Sequence, residues 1–92
     1  MEIPEGLRGF LDDDFKLKAW PSKKAKGKQV LALVYLASKF ETSREYSEME
    51  VNEILNCHHT FSDPAMLRRE LFEKAFLNRE LDGSRYYLQK KI

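Results

Sequence analysis

The segment from Tyr46 to Leu88 constrains the fold of this chain most, because it carries the signals of three successive local structures. Ser47 and Glu50 form the S-x-x-E pattern of a capping box, which satisfies two free backbone N–H groups at the start of a helix. Asp63 followed by Pro64 predicts the start of a second helix, since Pro is favoured at the first helical position. An Asp-Gly pair further on predicts a β-hairpin, because it can adopt the positive φ angles that a tight turn needs.

Another helix is predicted upstream, over residues 23–40, with Ser22 as its N-cap. Its apolar residues cover more than one face, which is typical of a central, buried helix. The hairpin strands are predicted over residues 77–80 and 85–88. The fold class is therefore α+β, with three helices followed by a C-terminal β-hairpin. That order is the winged-helix plan, a helix-turn-helix whose last helix enters a DNA groove and whose hairpin is the wing.

The N-terminal region differs from this segment in composition. Residues 1–14 contain Pro, two Gly and three consecutive Asp, and we expect them to form a loosely ordered acidic arm. In residues 15–20 apolar and polar side chains alternate as far as Pro21, which predicts a short N-terminal edge strand. We expect residues 15–92 to form a single winged-helix-like domain, because a chain of 92 residues supports one core.

The net charge of +1 conceals a segregated pattern. Residues 15–40 carry seven Lys and no acid, whereas residues 41–67 carry six acids and one Arg. A polyanion would experience the basic block rather than the average, so weak overall basicity does not exclude nucleic acid. Cys57 is the only cysteine, which excludes an internal disulfide and is typical of the reducing cytoplasm. No apolar run approaches the roughly 18 residues that span a bilayer, so no membrane partner is expected.

The helix predicted after Asp63 has two adjacent arginines in different positions when it is projected at about 100° per residue. Arg68 falls inside the apolar stripe, so we expect its stem to pack at the edge of the core and its guanidinium to pair with Glu50 or Glu53. Arg69 points to solvent and is the better candidate for contact with a phosphate or a base edge. The stripe itself comprises Pro64, Leu67, Leu71 and Ala75, widened by Phe72.

The candidate DNA contacts come from three places in the predicted fold, and most are basic side chains that would position the protein on the phosphate backbone. Two interpretations of the lysines at the start of the first helix are open: an anion site beside the free amides of the first turn, or a solubilising face. Glu70 and Glu73 lie on the exposed face and argue against deep insertion into a groove. The candidates are Arg69, Lys74 and Met66 of the third helix, Arg79 and Arg85 of the hairpin with Lys90 and Lys91 close behind, and Lys23, Lys24 and Lys26.

The sequence provides no pattern for catalysis or metal binding. Cys57, His58 and His59 lack the paired spacing of zinc ligands and are better explained as a plain turn between helices. The chain has no Gly-rich phosphate loop, no G-x-S-x-G and no H-E-x-x-H. We therefore expect neither an enzyme nor a cofactor.

These motifs resemble those of an uncharacterised prokaryotic family, a domain of unknown function that occurs alone or fused behind ArsR-type helix-turn-helix transcription regulators. The resemblance covers residues 8–88 and rests on FLDDD, LKAWPSK, YLASKFE, YSEMEVNEIL, LRREL and NRELDGSRYYL. It implies a link to transcription regulation but transfers no established activity or binding residues.

Charge, motifs and resemblance together predict a cytoplasmic, transcription-regulator-associated winged-helix domain that binds double-stranded DNA. The alternative is a protein-interaction module that docks on a regulator protein or forms a homodimer without direct DNA contact, because one scaffold hosts several functions. A third reading is a sensor of a small ligand or anion near the lysine-rich helix start.

Overall fold

The computed structural model describes residues 3–89, so the predicted contacts at Lys90 and Lys91 lie outside the described residues. Three helices are followed by an antiparallel two-stranded hairpin, which confirms the predicted α+β class. The elements are a 3₁₀ turn at Arg8–Phe10, a second 3₁₀ turn at Lys23–Ala25, α1 at Lys26–Ala37, α2 at Glu48–Asn56, α3 at Pro64–Glu73, β1 at Leu77–Arg79 and β2 at Tyr86–Leu88.

The helix predicted over residues 23–40 is shorter in the structure. Its first predicted turn, Lys23–Ala25, is a 3₁₀ turn that precedes α1, and α1 ends at Ala37. Ser22 precedes that turn, but its side chain accepts no capping hydrogen bond. The first turn of α1 contains no acidic side chain to interact favourably with the positive end of the helix dipole. Ala32, Leu33 and Leu36 are fully or almost fully buried, so one face of α1 forms the centre of the core.

The starts of α2 and α3 confirm the capping predictions. The hydroxyl of Ser47 accepts a hydrogen bond from the N–H of Glu50 (3.1 Å), and the Glu50 carboxylate accepts one from the N–H of Ser47 (2.9 Å). That backbone hydrogen bond is the main cause that lowers the pKa of Glu50 below its ordinary value of 4.5. At α3, the Asp63 carboxylate accepts a hydrogen bond from the N–H of Met66 (3.2 Å), and Pro64 is the first helical residue. Both starts depend on residues within three positions of each other, which is why sequence alone identifies them.

The end of α3 departs from the prediction. The helix stops at Glu73, and Ala75 adopts a left-handed conformation with φ of 64°. The N–H of Phe76 donates to the carbonyl of Leu71 (2.8 Å), and the N–H of Ala75 donates to that of Phe72 (3.1 Å). These two bonds form a Schellman motif, which satisfies the last carbonyls of the helix. Ala75, predicted on the buried stripe, is therefore exposed beyond the helix end.

The hairpin lies where it was predicted, but each strand is one residue shorter than predicted, so six residues connect β1 to β2, and the N–H of Glu80 donates to the carbonyl of Arg85 (2.9 Å). Leu77 pairs with Leu88 and Arg79 with Tyr86 in an antiparallel register. Gly83 has a φ of 74° and donates its N–H to the carbonyl of Glu80 (2.8 Å). Gly83, and not the preceding Asp, supplies the left-handed conformation of this turn.

A third stretch of chain joins the hairpin just before α2. The N–H of Tyr46 donates to the carbonyl of Tyr86, and the N–H of Tyr86 donates to the carbonyl of Tyr46, both at 2.7 Å. Tyr46 is buried, its ring packs edge-on against Phe40, and its hydroxyl accepts from the N–H of Glu41 (2.8 Å). This pairing, which the sequence did not predict, fixes the start of α2 beside the first residue of β2, at the loop end of the hairpin.

The N-terminal predictions require correction. Residues 3–14 are not a loose arm, because Leu7 and Leu11 are buried in the main core. The predicted edge strand over residues 15–20 reduces to single-residue bridges of Leu17 with Leu11 and His59. Phe15 breaks the alternation, since its φ is 62° and its side chain is 53% exposed. Burial of the two leucines holds this acidic segment against the domain.

Candidate functional site

The face formed by α3 and the hairpin contains a concavity of about 350 Å³. We call it the arginine pocket. It combines three guanidinium groups with two carboxylates and two aromatic rings, so it is polar and of mixed charge. Its lining residues are Glu48, Ala65, Arg68, Arg69, Phe72, Glu73, Arg79 and Tyr86.

Arg68 is the most buried of the three arginines, with 18% of its side chain exposed. Its guanidinium donates to the side-chain oxygen of Asn52 and lies 3.5 Å from the carboxylate of Glu48. Arg68 therefore lies at the edge of the core beside an acid of α2, as predicted. That acid is Glu48, however, and not Glu50 or Glu53. Glu50 is engaged by Ser47 and by Arg44 (3.5 Å) instead, and no ion pair of Arg68 with Glu53 is present in residues 3–89.

Arg69 and Arg79 reach the arginine pocket from different elements. Arg69 lies on the exposed face of α3, as projected, while Arg79 is the last residue of β1. The guanidinium carbon of Arg79 lies 4.3 Å from the centre of the Phe72 ring. Such a cation–π contact restricts the side chain without neutralising its charge. The pocket therefore presents two exposed cations beside the partly buried Arg68.

The other candidates on α3 and the hairpin are not assembled with these arginines. Arg85 lies 3.6 Å from Glu45 in a separate concavity that also contains Glu80 and Asp82. Hydrogen bonds from Ser84 lower the pKa of Asp82, so the tip of the hairpin carries negative charge. Lys74 lies 3.5 Å from Glu70. Met66 is partly buried against the core, which leaves it poorly placed for DNA contact.

The lysines of the first helix also lie apart from the arginine pocket. Lys23 and Lys24 belong to the 3₁₀ turn, Lys26 is the first residue of α1, and all three are exposed. None of the three lines the arginine pocket. Of the predicted DNA contacts, the structure therefore brings only Arg69 and Arg79 together in this pocket, and Lys23, Lys24 and Lys26 lie elsewhere.

The turn between α2 and α3 is organised by His59, which is only 4% exposed. Its Nδ1 lies 2.6 Å from the carbonyl of Leu55, and the N–H of Asp63 donates to Nε2 (2.9 Å). Since Nε2 accepts, Nδ1 carries the proton and donates to Leu55. His59 thereby connects the end of α2 to the N-cap of α3. This role follows from two backbone contacts that the residue pattern of the turn did not indicate.

A second, apolar concavity of about 610 Å³ lies where α1, α3 and the hairpin end close together. We call it the apolar groove. The sequence prediction missed it, because Val34 was assigned to the buried surface of the first helix, whereas it is 36% exposed. The groove is lined by Val34, Ala37, Ser38, Thr42, Ser43, Lys74, Ala75, Phe76, Leu88 and Gln89.

No three His, Cys, Asp or Glu side chains in residues 3–89 lie together in a way that could hold a metal ion. None of the helices in the same range has the length and apolarity that crossing a membrane requires.

Residues 16–88 match the model of a family described as an uncharacterized protein conserved in bacteria (DUF2087). No curated protein and no solved structure matches the chain.

Proposed function

Because the chain belongs to the DUF2087 family, whose description assigns no activity, we propose a function from its own geometry. It acts as a winged-helix domain that binds the backbone of double-stranded DNA in the service of transcription regulation. The observation that carries this proposal is the meeting of Arg69 from α3 and Arg79 from β1 in one open pocket. The proposal includes a cytoplasmic location and the association with ArsR-type regulators that the motif resemblance implies.

The arrangement of elements supports the winged-helix assignment. Helices α2 and α3 pack together across a short turn, and the hairpin follows α3 directly. Tyr46 adds a third short strand position from the chain between α1 and α2, beside the second strand of the hairpin. In helix-turn-helix proteins the second helix of the pair presents its side chains to DNA. Here that helix presents Arg69.

The charges around the arginine pocket favour contact with phosphate over reading of bases. Guanidinium groups donate paired hydrogen bonds to phosphate oxygens, and such contacts position a protein without selecting sequence. Glu73 lines the same pocket and Glu70 lies on the same helix, so α3 does not enter a groove deeply. Glu80 and Asp82 give the hairpin loop a charge that phosphate repels, so the contact is at Arg79, the last residue of β1, and not at the loop itself.

Salt-dependent binding tests the proposal. We expect fluorescence anisotropy with a labelled duplex to show a log–log slope of about −2, since two phosphate contacts each contribute about −0.9. Arg69→Ala and Arg79→Ala should each weaken binding and reduce the slope by about one. Arg85→Ala is the matched control, because Arg85 is an exposed hairpin arginine outside the pocket, and it should change neither quantity.

A thermal melt separates binding from folding. Arg68→Ala should lower the free energy of unfolding by about 1 kcal/mol, the typical contribution of the lost hydrogen bond to Asn52. Its ion pair with Glu48 adds little, because Glu48 is 57% exposed. Arg69→Ala should leave the melting temperature unchanged. Absence of duplex binding at low salt, or equal loss in the Arg85 control, would refute the DNA proposal.

The apolar groove favours a second candidate function, that of a protein-interaction module. Apart from Lys74, no charged side chain lines this concave surface, and Val34, Phe76 and Leu88 make it suited to another apolar surface rather than to phosphate.

A further inference from the structure

Another concavity, of about 330 Å³, lies at the C-terminal end of α1, away from the lysines of its first turn. We call it the Phe15 pocket. The last turn of α1, the loop that follows Leu11 and the turn between α2 and α3 all contribute to it, and none of its residues lines the arginine pocket. Its lining residues are Ile3, Asp14, Phe15, Tyr35, Lys39 and His58.

Phe15 occupies a backbone position that an aromatic residue does not favour. The N–H of Asp12 donates to the carbonyl of Lys16 (2.9 Å) and closes a loop of three residues, of which Phe15 is the last, with a φ of 62°. Glycine is the usual residue at such a left-handed position, because an L side chain is strained there. The Phe15 ring gains little core packing in return, since it is 53% exposed and is not among the side chains packed against the core. Folding therefore does not account for this ring, whereas a ring at the edge of an open pocket can contact a ligand.

Tyr35 organises the wall of this pocket. It is buried, and its hydroxyl donates a hydrogen bond to the carbonyl of Phe15 (2.8 Å). The Nζ atom of Lys39 lies 4.4 Å from the centre of the Tyr35 ring. A cation–π contact of this kind orients the ammonium group without neutralising its charge. Tyr35 therefore holds both the loop that carries the Phe15 ring and the charge of Lys39 beside one pocket.

Three basic side chains gather at this place without a carboxylate to pair with. Lys16, Lys39 and His58 are all partly buried, and none of them forms an ion pair among residues 3–89. Burial, and then the positive charges of Lys39 and Lys16, lower the pKa of His58 below its ordinary value of 6.5. Partly buried donors of this kind are stabilised by an external anion. Asp14 also lines the pocket, and its charge favours an anion of single charge over a doubly charged phosphate.

We propose that the Phe15 pocket binds a small aromatic carboxylic acid. The carboxylate accepts hydrogen bonds from Lys39 and His58, and the aromatic ring packs against Phe15 and Ile3. A volume of about 330 Å³ is at the low end for small-molecule pockets and suits a ligand with a single ring. This site is separate from the arginine pocket, so its failure would leave the DNA proposal as it stands.

An NMR titration of the full chain with phenylacetate tests the proposal. The amide signals of Phe15, Lys39 and His58 should shift and saturate with a dissociation constant of about 1 mM or lower. Phenylacetamide has the ring without the charge, and acetate has the charge without the ring. Each should bind at least about tenfold more weakly. The proposal would be overturned by no saturation up to about 10 mM, by equal binding of phenylacetamide, or by inorganic phosphate binding as tightly as phenylacetate.

Two variants separate the roles of charge and ring. Lys39→Gln should raise the dissociation constant at least about tenfold, whereas Lys18→Gln, an exposed lysine outside the pocket, should leave it unchanged. Phe15→Asn should weaken binding by a similar factor and leave the melting temperature nearly unchanged. Asparagine tolerates a positive φ, and this relief of strain offsets the lost contacts of a ring that is 53% exposed. Unchanged binding, or a fall of more than about 5 °C in melting temperature, would show that the ring does not serve the ligand.

The pH dependence of binding tests the position of the carboxylate. The charged and titratable groups around His58 are Asp14, Lys16, Tyr35 and Lys39. A bound carboxylate stabilises protonated His58, so affinity for phenylacetate, whose own pKa is about 4, should rise as pH falls from about 7.5 to 5.5. His58→Gln should remove this dependence. An affinity that does not change with pH in the unmodified chain would refute the contact between the carboxylate and His58.

Discussion

Ala75→Gly tests the physical account of where α3 ends. Ala75 has a φ of 64° at the position that follows the C-cap, where glycine is usually found. An L-residue in this left-handed conformation costs about 1 to 2 kcal/mol, and glycine removes that cost. Glycine also makes the unfolded chain more flexible, which costs about 0.4 to 1 kcal/mol. The variant should therefore gain about 0.5 to 1 kcal/mol of stability.

For a domain of this size, such a gain corresponds to a rise of roughly 3 to 6 °C in melting temperature. Thermal denaturation followed by circular dichroism, together with urea denaturation, measures both quantities. Ala65→Gly is the matched control, because Ala65 is an exposed residue in the first turn of the same helix. Glycine there should lower stability by about 0.5 kcal/mol, the low end of the cost within a helix, because a helical residue loses more conformational freedom when it is glycine.

The opposite signs of the two variants make the comparison decisive. If Ala75→Gly destabilised the domain as Ala65→Gly does, residue 75 would be helical and α3 would continue towards Phe76, as its apolar stripe predicts. The Schellman bonds of Ala75 and Phe76 would then be absent, and the apolar groove would lose one of its walls.

Two further predictions concern the histidines of the interhelical turn. His59→Ala should lower the free energy of unfolding, measured in urea, by about 2 to 4 kcal/mol, because it leaves a cavity and removes the acceptor of the Asp63 N–H. Thr60→Ala is the control and should have little effect, because Thr60 is exposed. Burial, reinforced by Lys39 and Lys16, lowers the pKa of His58 below its ordinary value of 6.5. As the pH falls, the unfolded chain therefore binds a proton at His58 before the folded chain does. The free energy of unfolding should fall as pH drops from about 7.5 to 5.5, and His58→Gln should reduce this dependence on pH.

The sequence alone determined the features whose causes lie within a few residues. The capping box of Ser47 and Glu50, the Asp63 cap and the hairpin turn at Gly83 are local hydrogen-bond patterns, and each is present. The position of Arg68 against α2 also followed, because helical spacing alone places it on the apolar stripe. These local signals fixed the order of three helices and a hairpin.

Features that depend on distant residues were decided only by tertiary structure. Whether Arg68 pairs with Glu48 or Glu50 depends on how α2 and α3 cross, since both acids lie on the first turn of α2. The sequence of residues 1–14 predicts a loose acidic arm, yet Leu7 and Leu11 are buried in the core. Their burial depends on residues that are distant in the chain, and no local sequence pattern indicates it.

The same reason explains the surfaces that the sequence did not reveal. Leu, Val and Ala around α1 indicate a buried helix, but only packing decides which of them remain in water, and Val30 and Val34 do. Tyr46 pairs with Tyr86, forty residues away, through backbone groups that every residue carries. Residue identity therefore determined the local elements of this protein, and the assembled backbone determined its pocket, its groove and its exposed apolar face.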